Sequence, residues 1–321
     1  MKTEILKILL EATEAVSGEE ISKQLDVSRA GVWKHIQALK EDGCIIEAQT
    51  NRGYKLHALP DLLKPEYVNL YLPEEELIIW YQETDSTNTQ GKMLAKKKKE
   101  EFFVVLAEHQ SGGKGRLGRA WVSNPGEAIQ MSFVVKPLLP PSKAPALNFA
   151  IALGVCEAVQ EMCSVDVKIK WPNDVVFGAK KLCGILTEMS ADMDKVDYLV
   201  SGVGVNVNQQ SFAGEIEQRA VSLRMIAGDA VDRVKMCAAL IKHVKSMYNC
   251  YVEGGMEALM PLYMKRSAIL NSEITVSCGE ERYTGVCTGF GENGELIIKT
   301  QNGERSFLAG EVSVRGMKDY V

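Results

Sequence analysis

The sequence predicts an α+β chain of three units: an N-terminal winged helix-turn-helix, a central mixed α/β domain and a C-terminal SH3-like β-barrel. Residues 1–57 carry three amphipathic helical stretches followed by two strand-like ones. Strand and helix patterns alternate from about residue 77 to 265. From Ser267 onward the pattern becomes short alternating strands split by GE, ENG and NG turns. A chain of 321 residues has room for two or three domains. The boundaries are expected at 1–62, 63–268 and 269–321.

The first unit reads in order. TEILKILLEATEA places Ile5, Leu6, Leu9, Leu10 and Ala12 at helical spacing. SGEE, from Ser17 to Glu20, has the form of a capping box and opens a short helix through Leu25. Asp26 and Val27 make a turn. Ser28 caps a third helix with Val32, Ile36 and Leu39 as its inward stripe and Gly43 as its stop. CIIEA, QTNRG and YKLHAL then read as strand, wing and strand. PDLLKPEYVNLYLP, with Pro60, Pro65 and Pro73, reads as a linker holding a short helical piece. The run from Lys96 to Lys99 reads as a solvated helix end.

Composition is that of an ordinary globular protein, 46% hydrophobic and 25% charged. A net charge of −5 supplies no overall pull toward nucleic acid, so any such contact needs a local patch. The start MKTEILKILLEATEA alternates apolar and charged residues, unlike a secretion signal. No apolar run is long enough to span a bilayer, so no membrane partner is predicted. The eight cysteines form no C-x-x-C pair and show no histidine clustering. Buried free thiols in a reducing cytoplasm are therefore expected, rather than a zinc site or a disulfide framework.

The third helix supplies the local patch. Arg29, Lys34 and Lys40 lie between Ser28 and Lys40 with no acid among them. Residues 1–57 together carry eight Lys/Arg against nine Asp/Glu, so charge is sorted by face. Groove docking needs that sorting: cations toward phosphates, with Ser28, Arg29, Lys34 and Gln37 near the duplex. Arg52 in the wing suits a phosphate or the minor groove. Winged helices also serve as protein-interaction modules. As a DNA reader, a unit of this size implies a dimer on two half-sites.

SGGKGRLGRAW, residues 111–121, satisfies G-x-G-x-x-G through Gly113, Gly115 and Gly118. A dinucleotide loop should follow a strand and open into a helix. The strand FFVVLAEHQ precedes it, but Asn-Pro-Gly and a new strand follow. No H-R-D or D-F-G supports a kinase, and no G-x-x-x-x-G-K-[ST] occurs. Taken alone, the glycines also fit a mobile surface hairpin. Lys114, Arg116 and Arg119 change the reading. Glycines let backbone N–H groups approach a ligand, and the cations add donors for carboxylate and phosphate. Such a loop suits a reaction that joins two anions, as when a carboxylate attacks a nucleotide phosphate.

Two further stretches belong with it. VKIKWPNDVVFGAKKLCGILTEMS reads as strand, Pro-turn, strand, tight turn and strand, with Lys170, Lys180 and Lys181 at strand ends or in the turn. Gly184 marks a place where a ligand can approach backbone. Asn173 and Asp174 read either as turn formers or as holders of a nucleotide-bound metal. ETDSTNTQ places Ser86, Thr87 and Asn88 at a helix N-terminus, which suits a cap or a polar ligand.

TDSTN, HQSGGKGRLGRAW, KWPNDVVFGAKKLCGILTE and GVGVNVN occur in the order and spacing of the biotin protein ligases. With its winged helix the chain resembles their bifunctional bacterial form, which also represses the biotin operon. The resemblance extends over essentially the whole chain. It implies a class II synthetase-like ligase domain that uses biotin, ATP and Mg²⁺. It implies that Ser86, Thr87, Asn88 and Gln110 contact biotin, and that the loop from Gly113 through Lys114 and Gly115 to Arg116 closes on biotin and its adenylate, with Arg119 adding charge. It further implies that Arg116 holds the intermediate, Lys181 assists activation, Trp121 covers the adenine, and Gly184, Leu186, Gly202 and Asn206 belong to the site, with Asp174 as metal ligand. Lys114 stands where the family usually has arginine, so the forked donor is lost. Leu117 and Ala120 replace residues often polar or basic in relatives.

The reaction implied has two steps. Biotin carboxylate attacks the α-phosphate of ATP, giving biotinyl-5′-AMP and pyrophosphate, and a lysine of a biotin carboxyl carrier protein, from acetyl-CoA carboxylase or another biotin-dependent carboxylase, then takes the biotin. The adenylate is the expected corepressor, promoting a homodimer on the operator DNA of biotin genes. Lipoate-type ligation and non-enzymatic ligand sensing are the alternatives.

Overall fold

The computed structural model describes residues 1–49, 52–309 and 312–316. Three helices open the chain: α1 (Lys2–Glu11), α2 (Gly18–Leu25) and α3 (Arg29–Glu41). Ser17 Oγ accepts from Glu20 N and Ser28 Oγ from Gly31 N, both at 3.1 Å, so the two expected caps form. Ile5, Leu6, Ile21, Val32, Ile36 and Leu39 are fully buried and make the small core. A hairpin follows, β1 (Ile45–Gln49) with β2 (Gly53–Ala58). Gly53 has φ +113°, and a Cβ there would lie 2.0 Å from the Val16 carbonyl oxygen, so the strand can only pass this point as glycine. Thr50 and Asn51 of the expected wing turn lie outside the described residues.

The proline-rich linker is clamped to its surroundings. It holds the expected short helix, α4 (Pro65–Val68), and a single 3₁₀ turn. On one side, Asp42 accepts from Lys2 at 2.9 Å and from Lys64 at 2.5 Å, while Lys2 also reaches Glu66. On the other, the buried Arg233 contacts both oxygens of Asp61 and Glu108 Oε2, and Glu108 Oε1 accepts from Leu63 N. Arg233 and Glu108 are both nearly inaccessible, so each satisfies a charge the other would leave bare.

The central domain is one seven-stranded sheet. Its elements are β3 (Ile78–Thr84), α5 (Thr87–Ala95), β4 (Phe102–Gln110), β5 (Ala128–Val135), α6 (Leu147–Cys163), β6 (Lys168–Lys170), β7 (Asp174–Phe177), β8 (Lys180–Ala191), β9 (Val196–Asn206), α7 (Leu223–Ala227) and α8 (Arg233–Arg266). Strand order is β3-β4-β5-β9-β8-β7-β6. Only β3 and β4 run parallel, joined across the sheet by α5; the other neighbours are antiparallel. β5 is buried along its whole length, with α5 and α8 packed against it. Lys96 to Lys99 follow the end of α5, as the charge run predicts.

One sequence expectation needs correction. Pro141–Cys163 is long and apolar enough to cross a membrane, with a mean hydropathy of 1.3, yet 67% of that window is buried inside the protein. It is the core helix, and its apolar length faces α8. At the crossing, a Cβ on Gly154 would lie 2.6 Å from Val244 Cα, so glycine sets the close approach.

The C-terminal unit is a five-stranded antiparallel sheet of β10 (Glu273–Cys278), β11 (Glu281–Phe290), β12 (Leu296–Thr300), β13 (Gly303–Phe307) and β14 (Val312–Gly316), in the order β13-β12-β11-β10-β14. Its inward face buries Val276, Cys287, Leu296, Ile298 and Val314. Phe290 packs edge-on against Phe149 of α6 and Tyr263 of α8, which stack at 3.8 Å. Trp171 Nε1 donates to Gly294 O at 3.0 Å. These contacts seat the small sheet beside the ends of β6 and β7. The expected domain's residues 310, 311 and 317–321 lie outside the described ones.

Candidate functional site

A cleft opens over the middle of the central sheet. Ser86, Thr87 and Asn88 enter it from the start of α5, Gln110 from the end of β4, and Lys114, Gly115, Arg116 and Trp121 from the following loop. Lys181, Gly184 and Leu186 come from β8 and Gly202 from β9. Arg119, Asp174 and Asn206 line an adjoining opening that shares Gly115, Arg116, Trp121 and Lys181 with the cleft. Gly113 sits behind the loop, where a Cβ would lie 2.4 Å from the Trp121 carbonyl oxygen.

The cleft floor is a chain of polar side chains in an apolar sheet. Gln110 Oε1 accepts from Thr87 N at 2.6 Å and Thr87 Oγ1 at 3.0 Å. Ser132 Oγ reaches Thr87 Oγ1 and Asn88 Oδ1, each at 2.7 Å. Asn88 Nδ2 donates to Leu186 O at 3.1 Å and to Glu188 Oε2 at 2.9 Å. Asn88 therefore has both ends of its amide engaged within the protein. Gly202 makes room for it, since a Cβ would lie 2.4 Å from Asn88 Oδ1. Ser86 is the N-cap residue of α5 but makes no side-chain cap bond. Sequence reasoning missed Ser132 and Glu188. The available signal was a lone serine in AIQMSFVV, a strand otherwise nearly all apolar.

The loop carries the cations. It is a narrow hairpin: Gly115 N donates to Arg119 O at 2.7 Å and Trp121 N to Gly113 O at 2.9 Å. No helix follows it, and Leu117 takes the left-handed conformation at φ 56°. Arg116 crosses to the C-terminal unit, donating to Asn173 Oδ1 at 3.2 Å, to Val312 O at 3.1 Å and to Ala309 O. Burial holds its guanidinium below the ordinary arginine value, against the opposing pull of Asp174. The Trp121 indole lies over Gly184 and Gly204, which are register partners on β8 and β9. A Cβ on Gly204 would fall 2.5 Å from the ring.

Lys181 Nζ lies 2.6 Å from Asp174 Oδ1 and 5.7 Å from the centre of the Trp121 ring. Asn206 Nδ2 donates to Val221 O at 3.2 Å and Lys181 O at 3.4 Å, supporting the Lys181 backbone. Asn173 keeps its turn: its Nδ2 donates to Ile185 O and its own carbonyl accepts from Ile185 N, both at 2.9 Å. No cluster of three or more metal-binding side chains occurs among the described residues. Asp174 supplies one carboxylate, paired with Lys181, to an opening that Glu217 also lines. That suits Mg²⁺, which takes one or two protein carboxylates with phosphate oxygens and water as its remaining ligands.

Across the molecule, α3 presents a second surface. Arg29 and Lys34 are exposed and Gln37 partly so, while Ser28 Oγ is occupied by its cap. Lys7 and Lys23 pair with acids on their own helices, whereas no ion pair involves Arg29, Lys34 or Lys40 among the described residues. Arg52 is exposed in the wing. Trp33, which sequence reasoning passed over, stands 57% exposed beside these cations.

Comparison with known proteins agrees with this geometry. Residues 80–206 match the Biotin/lipoate A/B protein ligase family, and residues 2–55 match an HTH domain. The bifunctional ligase/repressor BirA of Bacillus spizizenii is 30% identical over 320 residues, 98% of each chain. The chain belongs to the biotin protein ligase family. BirA of Escherichia coli, also described as a bifunctional ligase/repressor, is 26% identical over 96% of this chain and 95% of its own. Among solved structures, the biotin protein ligase from Aquifex aeolicus in complex with biotin and ATP is 31% identical, covering 75% of this chain and 99% of that one at a TM-score of 0.66. In this biotin protein ligase the family match runs from β3 to the last residue of β9, so it contains the cleft floor, the loop and Lys181 on β8.

Proposed function

We propose that this protein activates biotin with ATP, transfers it from biotinyl-5′-AMP to a lysine of a biotin carboxyl carrier protein, and represses transcription by binding operator DNA. The observation that carries the ligase reading is the pairing of a polar floor with three cations above it. Thr87, Ser132, Asn88 and Gln110 form a hydrogen-bonding base suited to a ureido ring. A dithiolane offers no matching donors or acceptors, which favours biotin over lipoate.

Reaction requires two anions to meet. Lys181 lies at the mouth of the cleft, where it lowers the repulsion between the biotin carboxylate and the α-phosphate. Arg116 would exchange its neutral carbonyl partners for the phosphate of the adenylate, a stronger, charged acceptor. Trp121 covers the adenine, and Lys114 and Arg119 add charge on either side of it. Asp174 would hold the Mg²⁺ that accompanies the nucleotide, and the ion would screen the phosphates. With the loop closed, the mixed anhydride is shielded from water until the carrier lysine attacks it.

For the repressor role, Arg29, Lys34 and Arg52 contact phosphates, and Ser28 and Gln37 approach the bases. A lone winged helix recognises little sequence, so two copies must pair on two half-sites, with the adenylate promoting that pairing. A cytoplasmic location fits both the proposed carrier and the proposed operator. The deciding experiment is mass spectrometry of a biotin carrier domain incubated with the protein, biotin and MgATP. The added mass of biotin on one lysine is expected. Unmodified carrier, or labelling by lipoate in place of biotin, defeats the reading.

A further inference from the structure

We propose that Glu188 is a positioning residue that sets the hydrogen-bond polarity of the biotin-binding floor, with Lys92 anchoring it from α5. The inference rests on the ligase reading and goes one layer beneath it. One Glu188 oxygen accepts from Asn88 Nδ2 at 2.9 Å, and the other pairs with Lys92 Nζ at 2.7 Å. Burial alone would raise Glu188, but the bonds from Lys92 and Asn88 and the charges of Lys92 and Lys114 outweigh it and hold it below the ordinary carboxylate range. At neutral pH it is ionised and can only accept.

An acceptor-only group fixes direction. Facing a carboxylate and the Leu186 carbonyl, the Asn88 amide must point its NH₂ that way. Its oxygen must then face Ser132, whose single hydroxyl proton goes to Asn88 Oδ1, so that Ser132 can meet the Thr87 hydroxyl only as an acceptor. The Thr87 hydroxyl then has acceptors on both sides, Ser132 Oγ and Gln110 Oε1, and one proton to give them, while the Thr87 amide N–H fixes Gln110 with its oxygen inward. Gln110 is thereby left with its NH₂ as the uncommitted end. Facing acceptors on both sides, the Thr87 hydroxyl offers the ligand its lone pairs, and that direction is set from Glu188 through Asn88 and Ser132, while the Thr87 amide sets Gln110. Ser132 is fully buried and Asn88 is 5% exposed, so neither can correct its partner by turning to water.

Glu188→Gln tests this, because glutamine keeps the size but both donates and accepts. The full chain is titrated calorimetrically with biotin and with 2-iminobiotin, in which the ureido carbonyl oxygen is replaced by a protonated nitrogen. The parent should prefer biotin strongly. In the variant, biotin Kd should rise about tenfold, while kcat for carrier biotinylation and KM for ATP stay within about twofold of the parent. The preference for biotin over 2-iminobiotin should narrow. Removing a carboxylate would by itself disfavour the cationic analogue and widen the preference, so narrowing reports polarity rather than charge. Lys92→Met should give a smaller rise in biotin Kd with the preference retained. An unchanged biotin Kd, a widened preference, or a joint fall in kcat, ATP affinity and melting temperature overturns the proposal. A parent that fails to bind biotin would instead overturn the ligase reading.

Discussion

On the cleft floor, both polar side-chain atoms of Asn88 are engaged and the side chain is buried; directly after Gln110 at the end of β4, the loop is held by a few hairpin bonds and one arginine. The floor is rigid because moving one member strands the hydrogen bonds of the next. The loop is built to move, since its arginine rests on carbonyls that a phosphate can outbid. In the proposed mechanism, one region selects the ligand and the other captures it. Substitutions in the two should therefore fail differently.

Lys181→Ala is the largest expected effect. Loss of the cation where the anions meet should slow adenylate formation by about 10²–10³-fold, measured as pyrophosphate release at saturating biotin and ATP. A rate close to the parent's would remove Lys181 from the chemistry. Arg116→Gly should act on the loop alone. Adenylate should still form but dissociate about tenfold or more faster, and bystander proteins mixed with the variant should become biotinylated. Tight retention of the adenylate would show that Arg116 is no clamp.

Gly202→Ala strikes the floor. Its methyl would fall 2.4 Å from Asn88 Oδ1, so either the strand or the relay must give. A loss of about 1–3 kcal/mol is expected from overpacking, with biotin affinity falling and adenylate release left unchanged. Chemical denaturation and biotin titration read the two parts separately.

Removing the winged helix should affect neither region strongly, provided the clamp survives. A chain starting at Leu59 keeps Asp61 on Arg233 and Leu63 N on Glu108. It should form adenylate within about threefold of the full chain and lose operator binding. A chain starting at Leu63 should do worse, because a buried arginine loses one of its carboxylates. Equal behaviour of the two truncations would make the clamp irrelevant to the cleft.

The smallest effect concerns the mount of the winged helix. Burial raises Asp42, but the bonds from Lys64 and Lys2 outweigh it and leave its pKa below the ordinary value. A carboxylate lowered on folding stabilises fully above its unfolded pKa, about 3.9, and loses that contribution as pH falls through the folded value. Asp42→Asn should therefore reduce stability at neutral pH and flatten its decline in acid, read by thermal melts across that range. An unchanged acid profile would mean that Asp42 is not linked to folding.

Much of this organisation was legible in the chain itself because it is local. The caps at Ser17 and Ser28, the stripe Val32, Ile36 and Leu39, the strand before the glycine loop and the absence of a helix after it each depend on neighbours within a few residues. The cations of the loop and of α3 were visible for the same reason. What local reading passed over was the length and hydropathy of Pro141–Cys163, which match a membrane span, and its burial against α8 shows it to be a core helix.

Other features existed only once distant segments met. Ser132, Asn88 and Glu188 lie on three elements, and no periodicity links a serine to a carboxylate 56 positions later. Arg116 meets carbonyls near residue 310, across a domain boundary. The Arg233 clamp joins a linker, two strands and the start of α8. By itself the sequence determined which elements form and which chemical groups they carry, because propensity, capping and charge pattern act along the chain. The tertiary structure decided which of those groups share a hydrogen bond, because a buried donor accepts whatever acceptor packing brings within reach, and packing is set by the whole chain at once.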